Sequence, residues 1–332
     1  MKKFVNDPRD VVEEMLDGFL ATHAAIVRRV GESRVVARRD PAQGTVAVVA
    51  GGGSGHEPAL LGYVGPGLLD AVVVGDLFAS PPASAVVEAI RATDTGRGVL
   101  LLIGNYAGDV MNFEIAAGRA REAGHAVELQ IVTDDVGLGR FGDARARRGM
   151  AGSFFAWKAC GAAAAAGAPL DQVREVAART NGRVRTVAVA HTAATLPGAG
   201  RPLFEVAEGE IHFGVGHGEP GARCQAMRPV DAIVDEMVAH LLHPDLPALD
   251  GSRLVTLVNG LGAVPLLELY VVQRRLTRAL AERGLVVARS FVGEYYTAMD
   301  TGGFSISLLD ADEELLGLVE APALSAHFSQ AG

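Results

Sequence analysis

The chain has 332 residues, 49% of them hydrophobic, with 39 acidic against 30 basic side chains and a net charge of −9. That length allows two domains, each with its own core, and the apolar content excludes a disordered chain. The acidic balance argues against nucleic acid and anionic membranes, which require clustered Lys and Arg, and fits a protein that handles small molecules.

Neither Cys160 nor Cys224 lies in a Cys-x-x-Cys pair, so neither a disulfide framework nor a thiolate metal site is indicated. Cys160, inside an alanine-rich helical run, reads as a buried, inert thiol. The first residues lack the apolar core of a signal peptide, and no charge-free apolar run reaches the roughly 18 residues of a membrane span. A cytoplasmic protein is expected.

Apolar residues at helical spacing predict a helix over Asp10–Val27, followed by a short alternating segment at Arg34–Arg38. A buried strand at Thr45–Ala50 runs into the glycine-rich turn Gly51-Gly-Gly-Ser-Gly-His-Glu-Pro58. A second apolar run at Leu69–Val74 is closed by Gly75-Asp-Leu-Phe-Ala-Ser-Pro81, and Pro82–Ala92 reads as a helix. The strand Gly98–Gly104 ends in Asn105-Tyr-Ala-Gly-Asp109 and a helix over Val110–Ala123; the strand Ala126–Val132 ends at Asp134-Asp135. Helices are predicted at Ala151–Gly167 and Leu170–Thr180. This alternation predicts a mostly parallel sheet covered on both faces.

A second unit opens with the strand Val184–Ala190. A pair of short strands is read in Glu205–Gly214, then a second glycine-rich loop, Phe213-Gly-Val-Gly-His-Gly-Glu-Pro-Gly221. A helix over Val230–Leu242 precedes a loop at His243–Ser252. The strand Leu254–Val258, the helix Pro265–Arg283 and strands at Leu285–Arg289 and Phe304–Leu309 complete an α/β pattern. The expectation is two α/β domains with mostly parallel or mixed sheets covered by helices, over residues 1–183 and 184–332.

Gly51–His56 is not a Walker loop, because no Lys-Ser/Thr follows, and not a dinucleotide fingerprint, because the third glycine position falls on His56. It departs from a nucleophile elbow at the same residue, which gives Ser54 little weight as a nucleophile. A histidine and an acid directly after the glycines favour a ligand site over a bare turn. Asp109, Asp134 and Asp135 each have an ordinary reading as helix N-caps. His217 lies among Gly214, Gly216, Gly218 and Gly221, which should leave its imidazole accessible as base, metal ligand or nucleophile. The other histidines, His23, His191, His212 and His240 among them, read as surface or satisfied interior groups. Two histidines and an aspartate could also form a zinc set, although no His-x-His or His-Glu-x-x-His pair seeds one. The residues therefore point to an α/β small-molecule enzyme or binding protein, with His56, Asp109 and His217 as candidates.

These glycine loops, together with Arg147-Arg-Gly-Met-Ala151, Asn259-Gly-Leu-Gly-Ala-Val-Pro-Leu-Leu-Glu-Leu-Tyr270 and Thr301-Gly-Gly-Phe-Ser-Ile-Ser307, resemble the substrate-binding subunit of dihydroxyacetone kinases. The resemblance runs in order from Lys2 to about Ala321. It implies a homodimer of two-domain α/β subunits in which a histidine nitrogen, His217 by motif, adds to the ketone carbonyl as a hemiaminal. His56 and Asp109 then serve the terminal hydroxyl as hydrogen-bonding and general-base groups, and the backbone of Gly53, Ser54 and Gly55 lines the pocket. No cofactor is expected on this chain. Mg-ATP or Mg-ADP belongs to a helical nucleotide-binding partner, either fused or separate, whose acid-rich metal loop is absent here. A non-catalytic ketone sensor or co-activator of the same family is the alternative, and a zinc hydrolase a distant one.

Two departures from the family pattern stand out. Gly104 occupies a position where a lysine is common, which opens space and removes a cation, and points beyond dihydroxyacetone towards a four- or five-carbon ketose. Gly216 runs directly into His217, where the family usually has an intervening residue, so the loop is shorter.

Overall fold

Valine-rich strands buried on both faces need helices on either side, and this requirement shapes the first of two compact units. The computed structural model describes residues 3–249 and 253–331. The first unit comprises Met1–Val132, Phe155–Thr180 and Gly317–Gly332, and the second comprises Thr133–Phe154 and Asn181–Leu316. The main crossing near residue 180 lies close to the expected boundary after 183. Two segments depart from the linear division: 133–154 belongs with the second unit and 317–332 with the first. A linear reading assigns chain to domains by order, whereas these segments pack by contact.

In the first unit, α1 (Val11–Thr22) is followed by β1 (Val27–Arg29) and β2 (Val35–Arg38). Then come β3 (Ala47–Ser54), β4 (Ala71–Leu77), α2 (Ala83–Thr93), β5 (Val99–Gly104), α3 (Ala107–Glu122) and β6 (Val127–Val132). The sheet order is β1-β2-β4-β3-β5-β6. β4, β3, β5 and β6 are parallel, and β1 and β2 add an antiparallel edge. Helices α2 and α3 share a core with the sheet through Val86, Ile90, Phe113 and Ala117. Residues 155–165 of α4 (Ser153–Ala165) and part of α5 (Leu170–Arg183) complete this unit. Cys160 is fully buried, and burial pushes its thiol well above its ordinary pKa, as expected of an inert core cysteine. Lys158 is also buried; desolvation lowers it to about 8, and its ammonium donates to the Leu318 carbonyl at 2.8 Å.

The second unit holds β7 (Val184–Ala190), β8 (Glu210–Phe213), β9 (Arg223–Ala226), α6 (Val230–Leu241), β10 (Arg253–Gly260), α7 (Leu266–Ala281), β11 (Val287–Gly293) and β12 (Gly303–Ala311). A further helix, α8, spans Glu313–Glu320. The order is β11-β10-β12-β7-β8-β9, parallel only between β10 and β11. This sheet is therefore mixed and mainly antiparallel. Its core gathers Val234, Met237 and Val238 of α6 with Leu269, Val272 and Leu276 of α7 against Val187, Phe213, Ile306 and Leu308. The strand pair expected within Glu205–Gly214 is instead β8 and β9, and the glycine loop around His217 is the connection between them. Of the loop expected over His243–Ser252, residues 250–252 lie outside the described residues. Among the described residues, no helix is long and apolar enough to cross a membrane.

Candidate active site

His56 and Asp109 follow two neighbouring parallel strands of the first unit. The β3–β5 ladder ends at Ala50 and Leu102. Beyond that point β3 continues beside β4 as far as Ser54 and Leu77, and β5 continues beside β6 as far as Gly104 and Val132. The two strand ends therefore part. Their onward connections also diverge, one to β4 and the other through α3 to β6. This is a topological switch point, where open α/β sheets bind ligands.

The glycines at this crevice are strand residues and not a turn, contrary to the reading of Gly51–Ser54 as a loop. The turn begins at Gly55, whose φ of 95° favours glycine. Packing explains the others. A Cβ on Gly53 would lie 2.6 Å from the Ala79 nitrogen, and one on Gly51 would lie 2.7 Å from the Phe113 ring. Ser54 donates its hydroxyl to the Gly75 carbonyl at 2.7 Å and is buried, which occupies it structurally. Phe78 has a φ of 51°, a strained value for a bulky residue, and its ring packs 4.7 Å from the buried His56 ring. A backbone outlier thus sits against the candidate histidine.

Asp109 is the third residue of α3 and not its N-cap; that position is Tyr106. Its carboxylate reaches over Gly52, where a Cβ would come within 3.9 Å of Oδ2. Asp109 is only 9% exposed, and its Oδ1 is buried without a hydrogen-bond partner. Burial raises its pKa to about 6, and a hydrogen bond from Ser80 opposes the rise. Position in a first helical turn favours the anion by only about 0.3–1 kcal/mol, so burial prevails. A carboxylate with this pKa, at a strand end, suits general-base chemistry near neutral pH.

Asp134 and Asp135 are not helix caps either. Asp134 is fully buried and accepts from the Met150 and Gly152 amides at 2.6 and 2.9 Å; burial raises it to about 6. These bonds shape the turn that leads into α4.

His217 belongs to the second unit. It is 6% exposed, not the accessible group that its glycine neighbours suggest. The glycines let the loop fold tightly, with Gly216 N–H donating to the Glu219 carbonyl and Gly218 N–H to that of Gly216, both at 3.1 Å. The imidazole stacks on Tyr296, with ring centroids 4.0 Å apart and planes at 20°. Tyr296 carried no signal in the sequence, because 79 positions separate it from His217. Asn259 holds it: Oδ1 accepts from the Tyr295 and Tyr296 amides, and Nδ2 donates to the Tyr296 carbonyl, each at 2.8 Å. Asn259 is fully buried. Asn259→Leu would strand two amides and a carbonyl. We expect it to lower unfolding free energy by about 3–9 kcal/mol, at about 1–3 kcal/mol for each of the three groups, measured by urea denaturation.

His212, read as a surface or satisfied interior group, is buried and engages Cys224 Sγ at 2.9 Å. Among the described residues, no group of three or more His, Cys, Asp or Glu side chains is placed to hold a metal ion.

The Dak1 domain family model matches residues 17–327. This chain belongs to the Dak1 family. It is 41% identical over 315 residues to the dihydroxyacetone-binding subunit DhaK of PTS-dependent dihydroxyacetone kinase 1 from Listeria innocua, covering 95% of each chain. It is 43% identical over 327 residues to the L-erythrulose kinase of Pectobacterium atrosepticum, covering 97% of this chain and 55% of that protein. Its fold matches the dihydroxyacetone kinase operon co-activator Dha-DhaQ with a TM-score of 0.91 and 32% identity, over 96% of this chain and 99% of the other. Gly104 ends β5 paired with Val132, a few residues ahead of the candidate base in α3.

Proposed function

We propose that this chain is the substrate-binding subunit of a dihydroxyacetone-type kinase acting on a short-chain ketose. His217 adds one imidazole nitrogen to the ketone carbon. The unprotonated ring nitrogen makes the bond, the carbonyl oxygen takes up a proton and becomes a hydroxyl, and the other ring nitrogen gives up its proton, so the adduct is neutral. Asp109, assisted by His56, accepts the proton of the terminal hydroxyl as that oxygen attacks phosphorus. The backbone of Gly53, Ser54 and Gly55 contributes to the substrate pocket. The phosphoryl group comes from a nucleotide on a helical partner subunit, either exchangeable Mg-ATP or bound Mg-ADP that a phosphotransferase-system protein first recharges, and this chain itself works as a homodimer without a bound cofactor.

The observation that carries this reading is Asp109: a buried carboxylate at a switch point, raised to about 6, over a strand of glycines. A protein that only senses a ketone has no use for such a base. The fold likeness to the co-activator Dha-DhaQ nonetheless supports a second reading, in which the chain binds a ketone to regulate and transfers no phosphate.

Intact-mass measurement after incubation with dihydroxyacetone, erythrulose and glycerol tests the capture step. A gain of one whole ketone, without loss of water, is expected with the two ketones and not with glycerol. The absence of any gain with a short ketose on folded protein refutes the covalent reading. Phosphorylation of the bound ketone in the presence of a donor subunit distinguishes kinase from co-activator.

A further inference from the structure

The Arg147-Arg-Gly-Met-Ala151 motif has no role in the chemistry above, yet its second arginine reaches the loop that carries His217. Arg148 is buried, and its guanidinium rests on Asp135, which is 1% exposed. Nε donates to Asp135 Oδ2 at 2.7 Å, and Nη2 lies 2.6 Å from the same oxygen. The other end of Asp135 is fixed by the Gly137 amide at 2.7 Å, and the Asp135 amide donates to the Arg148 carbonyl at 3.1 Å. From this anchored base the guanidinium makes two further contacts. Nη2 donates to the Gly214 carbonyl and Nη1 to Glu219 Oε2, both at 2.8 Å.

Gly214 and Glu219 lie on opposite sides of His217 in the chain. The loop between them passes so close over the arginine that a Cβ on Gly216 would lie 2.4 Å from Nη1 and 2.3 Å from Glu219 Oε2. Gly214, with a φ of 78°, has equally little room, because a Cβ there would meet the Gly137 carbonyl at 2.4 Å. Gly216 is therefore the complement of the arginine beneath it, and Gly214 that of the Gly137 backbone. A planar guanidinium can bond to three oxygens in different directions at once, which the single ammonium of a lysine does less rigidly.

We propose that Arg148, braced by Asp135, is a positioning residue for His217: it clamps both flanks of the loop while Tyr296 supports the ring. The consequence for catalysis rests on the covalent role proposed for His217; the clamp itself does not.

The test uses the full chain, with wild type compared to Arg148→Lys, Arg148→Met and Glu219→Gln. Amide hydrogen exchange over residues 214–221 reads the clamp, and the dihydroxyacetone concentration that half-saturates the mass adduct reads its effect on His217. Exchange in α6 serves as an internal reference. Losing one partner of a buried charge pair is strongly disruptive, so we expect Arg148→Met to speed exchange over 214–221 and raise the half-saturating concentration by about tenfold or more. Arg148→Lys should fall between wild type and Arg148→Met, and Glu219→Gln, which keeps the contact without its charge, should change both by about threefold. Exchange over 214–221 that stays within about twofold of wild type in folded Arg148→Met and Glu219→Gln, judged against natural scatter between variants, overturns the proposal. Where Arg148→Met fails to fold, Glu219→Gln decides by the same criterion. A wild-type protein that forms no adduct removes the covalent reading, and the exchange over 214–221 still decides whether Arg148 is the clamp.

Discussion

Replacing His217 by alanine is expected to abolish the one-ketone mass gain completely and to lower ketose phosphorylation, measured with a donor subunit, by at least about 10³-fold, since well-oriented intramolecular reactions gain large effective concentrations. The imidazole is buried against Tyr296 at 4.0 Å, so the substrate would meet a nitrogen already held in place. Holding the ketone by a covalent bond orients the terminal hydroxyl and removes the entropy of finding it. It also separates ketoses from polyols: glycerol has no carbonyl to attack, whereas hydrogen bonds alone would distinguish the two less sharply. The variant should therefore lose its discrimination against glycerol along with its rate. A folded His217→Ala protein that still gains one ketone in mass would show that another group makes the bond. The substitution removes a ring stacked on tyrosine, so a thermal melt must accompany it to show that the protein remains folded.

Asp109→Asn should have opposite effects on activity and stability. A general base contributes about 10²–10⁴-fold, and the amide cannot accept the proton, so phosphorylation should fall by that factor while adduct occupancy stays close to wild type. In wild type, activity should decline as pH falls below about 6, where Asp109 becomes protonated. For stability the sign follows from the raised pKa. Between the pKa of the unfolded carboxyl, about 4, and the folded value the native state holds the extra proton, so stability falls as pH rises through this window. The accumulated cost at neutral pH is about 3 kcal/mol, given 1.36 kcal/mol for each tenfold change in proton affinity. Asp109→Asn removes this cost. Its melting temperature should exceed that of wild type at pH 7 to 8, and the difference should vanish near pH 4. A variant no more stable than wild type at pH 8 would mean that the carboxylate is solvated in the native state and is not poised as a base.

The reach of sequence reasoning can be seen element by element. β7 is Val184–Ala190 as read, because a continuous apolar run bounded by polar residues has one outcome in a buried sheet. α2, α3, α6 and α7 follow from helical spacing to within a few residues. The glycines at 51–53 misled, since three glycines read as a turn by propensity. In the fold they extend β3, and at Gly51 and Gly53 the Val73 carbonyl and Phe113 ring and the Phe78–Ala79 backbone approach too closely for a side chain. The glycines around His217 misled in the same way: Gly216 marks an arginine packed beneath the loop and Gly214 a close pass of the Gly137 backbone, and not an exposed imidazole.

The sequence by itself determined the α/β class, the family and the three candidate side chains, because hydrophobic periodicity and long motifs are local properties of the chain. Tertiary structure alone decided the rest. It placed His56 and Asp109 just beyond two strands that part after Ala50 and Leu102, and it buried Asp109 deeply enough to raise its pKa. It also brought Tyr296, Asn259 and Arg148 to the His217 loop from 42 to 79 positions away in the chain. Desolvation, stacking and ion pairing depend on which groups meet in space, and no periodicity along a single chain encodes that.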